Sequence, residues 1–244
     1  MKIFIEKNYT DLSKRVADII ESEMKEKSNL VLGLATGSTP IGTYEELIKR
    51  HKEEGLDFSK ITTFNLDEYL GIPHDHVNSY HYFMEENFFK SINIDNDKIN
   101  IPNGNPENAE EYCKAYDEKI ENQGGIDVQI LGIGENGHIA FNEPDDKLYL
   151  GTHVTDLTES TIKANSRFFD SIDDVPKKAI TMGLGSIMKS KKILLLASGK
   201  NKANTIKKLL KDGVVSTHNP ASLLLLHPDV TIILDEEAAE EYMK

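Results

Sequence analysis

Six short apolar runs recur along this chain, Lys2 to Ile5, Leu30 to Ala35, Ile61 to Leu66, Val128 to Ile133, Ile193 to Ala197 and Thr231 to Leu234, with helix-length segments between them. Their nearly unbroken apolar character suits strands covered on both faces, because a strand with one wet face would alternate. The intervening segments, such as Asp11 to Lys27 and Lys202 to Lys211, mix apolar and charged positions at helical spacing. The alternation predicts an α/β fold with a mainly parallel sheet and helices on both faces. In such sheets ligands bind beyond the carboxyl ends of the strands, which is where the glycine-rich and polar segments of this sequence fall. The pattern leaves strand order open.

A chain of 244 residues, 39% of them apolar, can enclose a substantial core, and residues 1–244 read as one domain. There is no internal repeat, low-complexity tract or linker-like shift in composition, and the terminal "DEEAAEEYMK" reads as a solvated helix. The single cysteine, Cys113, has no internal partner for a disulfide, and "MKIFIEKNYTDL" carries charges where a signal peptide needs an apolar core. A cytoplasmic protein is expected. No apolar run approaches the roughly 18 residues of a membrane span, so no membrane association is expected. A formal net charge of -13 opposes nucleic-acid binding, while leaving room for a small anionic molecule held by a few local donors.

Chemistry concentrates at four strand ends. In "ILGIGENGHIAFNEP", Ile130 to Pro144, an apolar run ends in a bend with Gly132, Gly134 and Gly137 and then delivers His138 and Glu143. The glycines permit tight turns and close ligand approach, and a histidine beside a carboxylate can share one proton-transfer task. After Leu30 to Ala35 come Thr36-Gly37-Ser38-Thr39-Pro40 and the helical pattern "IGTYEELIKRH". Free backbone amides and hydroxyls at a helix start suit a phosphate, although an ordinary Ser/Thr cap would use the same residue types. The segment is neither a Walker A loop nor a G-x-G-x-x-G dinucleotide pattern.

Asp67 and Glu68 emerge as the run Ile61 to Leu66 stops; an aspartate there either faces a pocket and accepts a proton from carbon, or opens a turn in water. His74 and His76, lacking cysteine partners and a clear third ligand, read as a polar loop and not as a metal site. Arg167 in "ANSRFF" and Lys202 in "LLLASGKNKANTIKKLL" gain weight only together, as a bidentate and a point-charge partner for phosphate in an otherwise acidic protein.

Taken together, "LGLATGSTPIGTYEEL", "FNLDEYLGI", "LGIGENGHIAFNEP", "ANSRFF" and "LLLASGKNKA" closely resemble the glucosamine-6-phosphate deaminase family through nearly the whole chain. The resemblance implies a Rossmann-like fold and a hydrolase of amino-sugar catabolism, in N-acetylglucosamine degradation. Its members convert glucosamine 6-phosphate and water to fructose 6-phosphate and ammonia, with no organic cofactor and no catalytic metal. Carried over by motif, Asp67 moves a proton between carbons 2 and 1, His138 opens the sugar ring and Glu143 partners it. The phosphate falls to Gly37, Ser38, Thr39, Arg167 and Lys202.

Two departures stand out. Some relatives carry an acidic residue where this chain has Asn136, so that position orients here and does not titrate. Many carry Trp in the segment matching "STHNPASLLLLH", whereas this chain has no Trp and places Asn219 nearby. Longer members also have a C-terminal extension that serves an activator site and a hexamer. This chain stops at Lys244, which sets the expectation of weak or no activation by an N-acetylated sugar phosphate and a smaller assembly, with monomer or homo-oligomer left open. The related 6-phosphogluconolactonases share the glycine-histidine loop but follow it with a pattern like T-A-S-L-F-P, against Ile139-Ala140-Phe141-Asn142-Glu143-Pro144 here. A noncatalytic sugar-phosphate sensor would need an added DNA-reading element, for which this sequence has no evident room.

Overall fold

Each of the six predicted runs forms a strand, and all six join one sheet. The computed structural model describes residues 1–166 and 169–244. In chain order the elements are β1 (Lys2–Glu6), α1 (Tyr9–Glu26), β2 (Val31–Leu34), α2 (Ser38–Glu54), β3 (Thr62–Asn65), β4 (Asp67–Leu70), α3 (Tyr80–Asn87), β5 (Ile99–Asn100), α4 (Ala109–Asn122) and β6 (Val128–Leu131). They continue with β7 (His153–Asp156), α5 (Glu159–Asn165), β8 (Lys178–Thr181), α6 (Leu184–Met188), β9 (Lys192–Ala197), α7 (Ala203–Lys211), β10 (Val230–Asp235) and α8 (Glu236–Met243). No helix among the described residues is long and apolar enough to cross a membrane.

The main sheet runs in the order β1-β10-β9-β6-β2-β3-β5, and every pairing in it is parallel. From β2 the chain steps outward to β3 and β5, then returns to β6 beside β2 and steps the other way to β9 and β10. The order therefore reverses between β2 and β6, and the loops leaving these two neighbours diverge to opposite faces, opening a crevice at their carboxyl ends. Strands β2, β6 and β10 are buried at every position, which accounts for the unbroken apolar runs that made them legible.

Helix α1 covers the sheet with Leu12, Val16, Ala17, Ile20 and Met24, one apolar stripe at helical spacing, and Asn8 caps it by accepting the Asp11 N–H at 2.9 Å. Helix α2 ends with Gly55 in the left-handed conformation, φ 76°, the expected glycine stop.

A second sheet lies outside the predicted pattern. Strands β4, β8 and β7 form an antiparallel trio in that order. The chain does not stop after Ile61 to Leu66 but crosses between the sheets at Leu66, whose N–H donates to Leu34 O at 3.1 Å and whose carbonyl accepts the Met182 N–H at 2.7 Å. Tyr69, Phe141, Leu157 and Ala179 bury a small core of their own against this sheet. Its strands are four residues long and read DEYL, KAIT and HVTD, too short and too polar to give a periodic signal.

Candidate active site

The second sheet fixes two parts of the crevice to one strand. Asp67 pairs with Thr181 in the β4–β8 register, and the Thr181 hydroxyl accepts the Phe141 N–H at 3.1 Å. The Asn142 side chain donates to Ile139 O and to Met182 O at 3.0 and 2.9 Å. Asp67 and the loop that carries His138 and Glu143 are thus both pinned to β8, although 70 or so residues separate them along the chain.

The two neighbouring carboxylates after β3 have opposite surroundings, as alternation along a strand requires. Glu68 turns into the protein and accepts backbone N–H groups from Tyr69 at 2.8 Å and from Tyr80 and His81 at 2.9 Å, anchoring the start of α3. Asp67 faces the crevice and makes no hydrogen bond to a described side chain. Burial raises its pKa to about 8, with a further push from the Glu68 charge. Glu68 is also raised by burial, against the pull of its three N–H donors. Asp67, without such donors, is the member of the pair that holds its proton. The alternative of a water-facing turn does not describe either residue.

After β6, Gly134 and Gly137 make a tight turn in which the Gly137 N–H donates to Gly134 O at 3.0 Å and the Gly134 N–H to His138 O at 2.9 Å. A Cβ on Gly134 would sit 2.4 Å from the imidazole, so glycine here is what lets the ring lie across the turn. Asn136 accepts the His138 N–H at 3.1 Å and donates to Glu143 Oε2 at 2.6 Å. Glu143 Oε1 lies 3.2 Å from His138 Nδ1, a close ion-pair distance without the alignment of a good hydrogen bond. Ala140, at φ 53°, is the one non-glycine among the described residues in the left-handed region, and its strain sits between the histidine and the glutamate. Burial works to raise the Glu143 pKa, but His138, Thr161 and Asn136 outweigh it and hold the carboxyl at about 2. The segment around Asn219 backs this loop, with the Ala221 N–H on Gly137 O at 2.9 Å.

At the start of α2 no side chain caps the helix; Gly37, φ 96°, occupies the cap position. Tyr9 accepts the Gly42 N–H at 2.7 Å and donates to Ser38 O at 2.9 Å, leaving the first-turn amides at Ser38 and Thr39 aimed at the crevice, where helix polarity favours an anion. The loop after β9 is tied down by Asp235, which accepts the Gly199 N–H at 3.0 Å and the Ser198 hydroxyl and also caps α8. Asn201 donates to Glu135 at 2.7 Å, joining this loop to the β6 loop.

These loops enclose a crevice of about 540 Å³ bordered by Gly37, Ser38, Thr39, Asp67, Asn136, His138 and Lys202, with Glu143 behind the imidazole. Arg167 lies outside the described residues. Thr161, Tyr80 and Asn165 also border the crevice and carry no sequence signal beyond the Thr158 cap that begins α5. The ring of His74, in the loop after β4, lies tilted 5.0 Å from that of His81 on α3, and no group of three His, Cys, Asp or Glu among the described residues is placed to hold a metal ion. Another hollow, about 410 Å³, lies by Ser28, Gly55 and Lys60 at the amino ends of β2 and β3, away from all of these groups.

A parallel sheet with an anion cradle and acid–base side chains gathered at its reversal point defines a Rossmann-like α/β protein with an enzyme-type cleft. Residues 6–233 match the family described as glucosamine-6-phosphate isomerases/6-phosphogluconolactonase, and the chain belongs to that family. A glucosamine-6-phosphate deaminase of Thermoanaerobacter pseudethanolicus is 60% identical over 239 residues, covering 98% of this chain and 94% of the relative. One of Clostridium perfringens is 55% identical over 240 residues, covering 98% and 99%. A solved structure described as a monomeric glucosamine-6-phosphate deaminase superimposes with a TM-score of 0.96 at 50% identity, over 99% of this chain and all of that one. A 6-phosphogluconolactonase from Trypanosoma cruzi shares the fold, with a TM-score of 0.77 at 20% identity.

Proposed function

We propose that this protein isomerises and deaminates glucosamine 6-phosphate to fructose 6-phosphate and ammonia. The observation that carries the reading is the meeting of Asp67, the His138–Glu143 pair and the α2 amide cradle around one crevice, 540 Å³ in volume, large enough for a hexose phosphate. The identity to proteins named as deaminases supports it. Glu143 supports the reading over lactone hydrolysis, because the lactonase pattern T-A-S-L-F-P after the histidine carries no carboxylate at that position, whereas here Glu143 lies 3.2 Å from the imidazole.

In the first step His138 takes the proton from the anomeric hydroxyl as the C1–O5 bond breaks, and O5 receives a proton, exposing the aldehyde. Glu143 stabilises the imidazolium that forms. Asp67, ionised, then removes the proton from C2, which the aldehyde has acidified, and returns it to C1. The resulting C2 imine adds water and expels ammonia, leaving the ketone. Phosphate binding at Gly37, Ser38, Thr39 and Lys202, with Arg167 by motif, fixes one end of a flexible open chain and lowers the entropic cost of alignment.

The direct test is ammonia release from glucosamine 6-phosphate, with 6-phosphogluconolactone as the competing substrate. Ammonia with no lactone hydrolysis is expected; the reverse would end the reading. Lys202→Ala is expected to raise KM by about 10- to 100-fold with kcat changed much less, since a charge-assisted contact to phosphate acts in both ground and transition state. A fall in kcat at constant KM would move Lys202 from anchoring to chemistry.

The same reading makes residues 1–244 one catalytic domain of a cytoplasmic enzyme in N-acetylglucosamine degradation. It also makes the protein a monomer, on the strength of its likeness to the monomeric deaminase. Light scattering is expected to give a single 27.4 kDa species with hyperbolic kinetics. A hexamer, or a sigmoidal rate curve made hyperbolic by an N-acetylated sugar phosphate, would contradict this.

A further inference from the structure

We propose that Thr161, on the first turn of α5, is a positioning residue for ring opening that holds the Glu143 carboxylate in register with His138. The proposal rests on the isomerase-deaminase reading above and concerns its first step.

Glu143 has two carboxylate oxygens with different neighbours. Oε2 accepts from Asn136 at 2.6 Å, within the same loop. Oε1, the oxygen 3.2 Å from His138 Nδ1, accepts the Thr161 hydroxyl at 2.5 Å, from a helix 18 residues further along the chain. The terminal torsion of a glutamate is broad and soft, so Asn136 alone leaves the carboxylate free to pivot about Oε2. Thr161 restricts that freedom on the side that matters to the imidazole, at 2.5 Å against 3.4 Å for the Thr158 hydroxyl that reaches the same oxygen. Its own hydroxyl is held in turn: Thr158 caps α5 by accepting the Thr161 N–H at 3.3 Å and places its oxygen 3.0 Å from Thr161 Oγ1. A donor that is itself a hydrogen-bond acceptor in a partly buried chain such as this one is polarised by its neighbour.

Thr161 is buried, yet it also borders the crevice, so its hydroxyl spends its donor on Glu143 at the substrate's wall. A buried threonine in a purely packing role has no need of a carboxylate partner, and a capping threonine uses the Thr158 position. The methyl group is left to pack while the oxygen sets the angle at which Glu143 faces His138. Thr161 therefore acts through Glu143, and its loss is expected to slow the step in which the imidazole gains a proton.

Thr161→Val removes the hydroxyl at nearly constant shape, and Thr161→Ser keeps it. Initial rates of ammonia release are measured with glucosamine 6-phosphate carrying hydrogen or deuterium at C2, beside a melting curve for each variant. Thr161→Val is expected to lose about 10-fold or more in kcat, the scale of a hydrogen bond to a charged group, with KM within about twofold. Its isotope effect is expected to be no larger than that of the wild type, because ring opening then takes a greater share of the turnover time. Thr161→Ser is expected to recover most of the loss. Thr161→Ala gives the same comparison if the valine variant does not fold. Unchanged kcat, a loss that serine does not relieve, or an isotope effect larger than wild type would overturn the proposal. Wild-type protein that releases no ammonia would overturn the underlying reading instead.

Discussion

Asp67→Asn is expected to lower kcat by about 10² to 10⁴, the full contribution of a well-placed general base, while KM stays within a few fold. Asparagine matches aspartate in volume but has no lone pair basic enough to take a proton from carbon. Exchange of the C2 hydrogen of glucosamine 6-phosphate with deuterated water, followed by NMR, should disappear with the activity. Retained exchange would show that another group removes that proton.

The same carboxylate predicts a pH dependence. With its pKa raised to about 8 by burial and by Glu68, Asp67 is mostly protonated at neutral pH in the free protein. Only the ionised form accepts a proton, so kcat/KM is expected to rise about tenfold per pH unit below pH 8 and to flatten above it. Stability runs the other way. A folded-state pKa above the ordinary value of 3.8 means that the fold holds this proton more tightly than the unfolded chain, so stability is full below pH 3.8 and declines as pH rises toward 8. Asp67→Asn removes the ionisation and is expected to be more stable than wild type at pH 8, by a margin that shrinks as pH falls toward 3.8. A variant that is both inactive and more stable would mark Asp67 as a group kept for chemistry at the expense of the fold.

Glu68 illustrates what the sequence leaves open. Side by side in "LDEYL", Asp67 and Glu68 are chemically interchangeable, and only the pleat of β4 sends one into the crevice and the other onto the backbone of α3. Six of the seven main-sheet strands were legible because burial on both faces demands continuous apolar runs, as in β6 and β10, whereas the edge strand β5 is two residues long and gives no run to read. Strands β4, β7 and β8 were not, since four residues of mixed polarity give no period to count. Within the crevice, His138 and Gly37 announce themselves through local glycine chemistry. Thr161 does not, because its partner Glu143 is brought to it by tertiary packing alone. Asn136, expected from the sequence to orient and not to titrate, makes one hydrogen bond to the His138 backbone and one to Glu143.

His138→Gln is the second large effect, expected to reduce kcat on glucosamine 6-phosphate by about 10² to 10⁴. Glutamine retains a polar side chain beside Glu143 but neither accepts nor carries a proton, so the pyranose stays closed and its aldehyde hidden. The loss should be confined to that step. An analogue lacking the hydroxyls needed for ring closure presents its aldehyde at once, and His138→Gln should process it nearly as fast as the wild type does, whereas Asp67→Asn should fail on both substrates. Glu143 sharpens the test. Held at about 2, it remains an anion throughout the working range, so its pairing with the imidazole contributes stability above the ordinary carboxyl pKa of 4.5 that is lost as pH falls toward 2. In His138→Gln one of the three groups that hold the Glu143 pKa down is gone, and the carboxyl is expected to titrate at higher pH, which NMR of the labelled glutamate can follow. Equal losses on cyclic and open substrates, with no movement of the Glu143 titration, would mean that the imidazole serves the carbon proton transfer and that ring opening belongs to another group in the crevice.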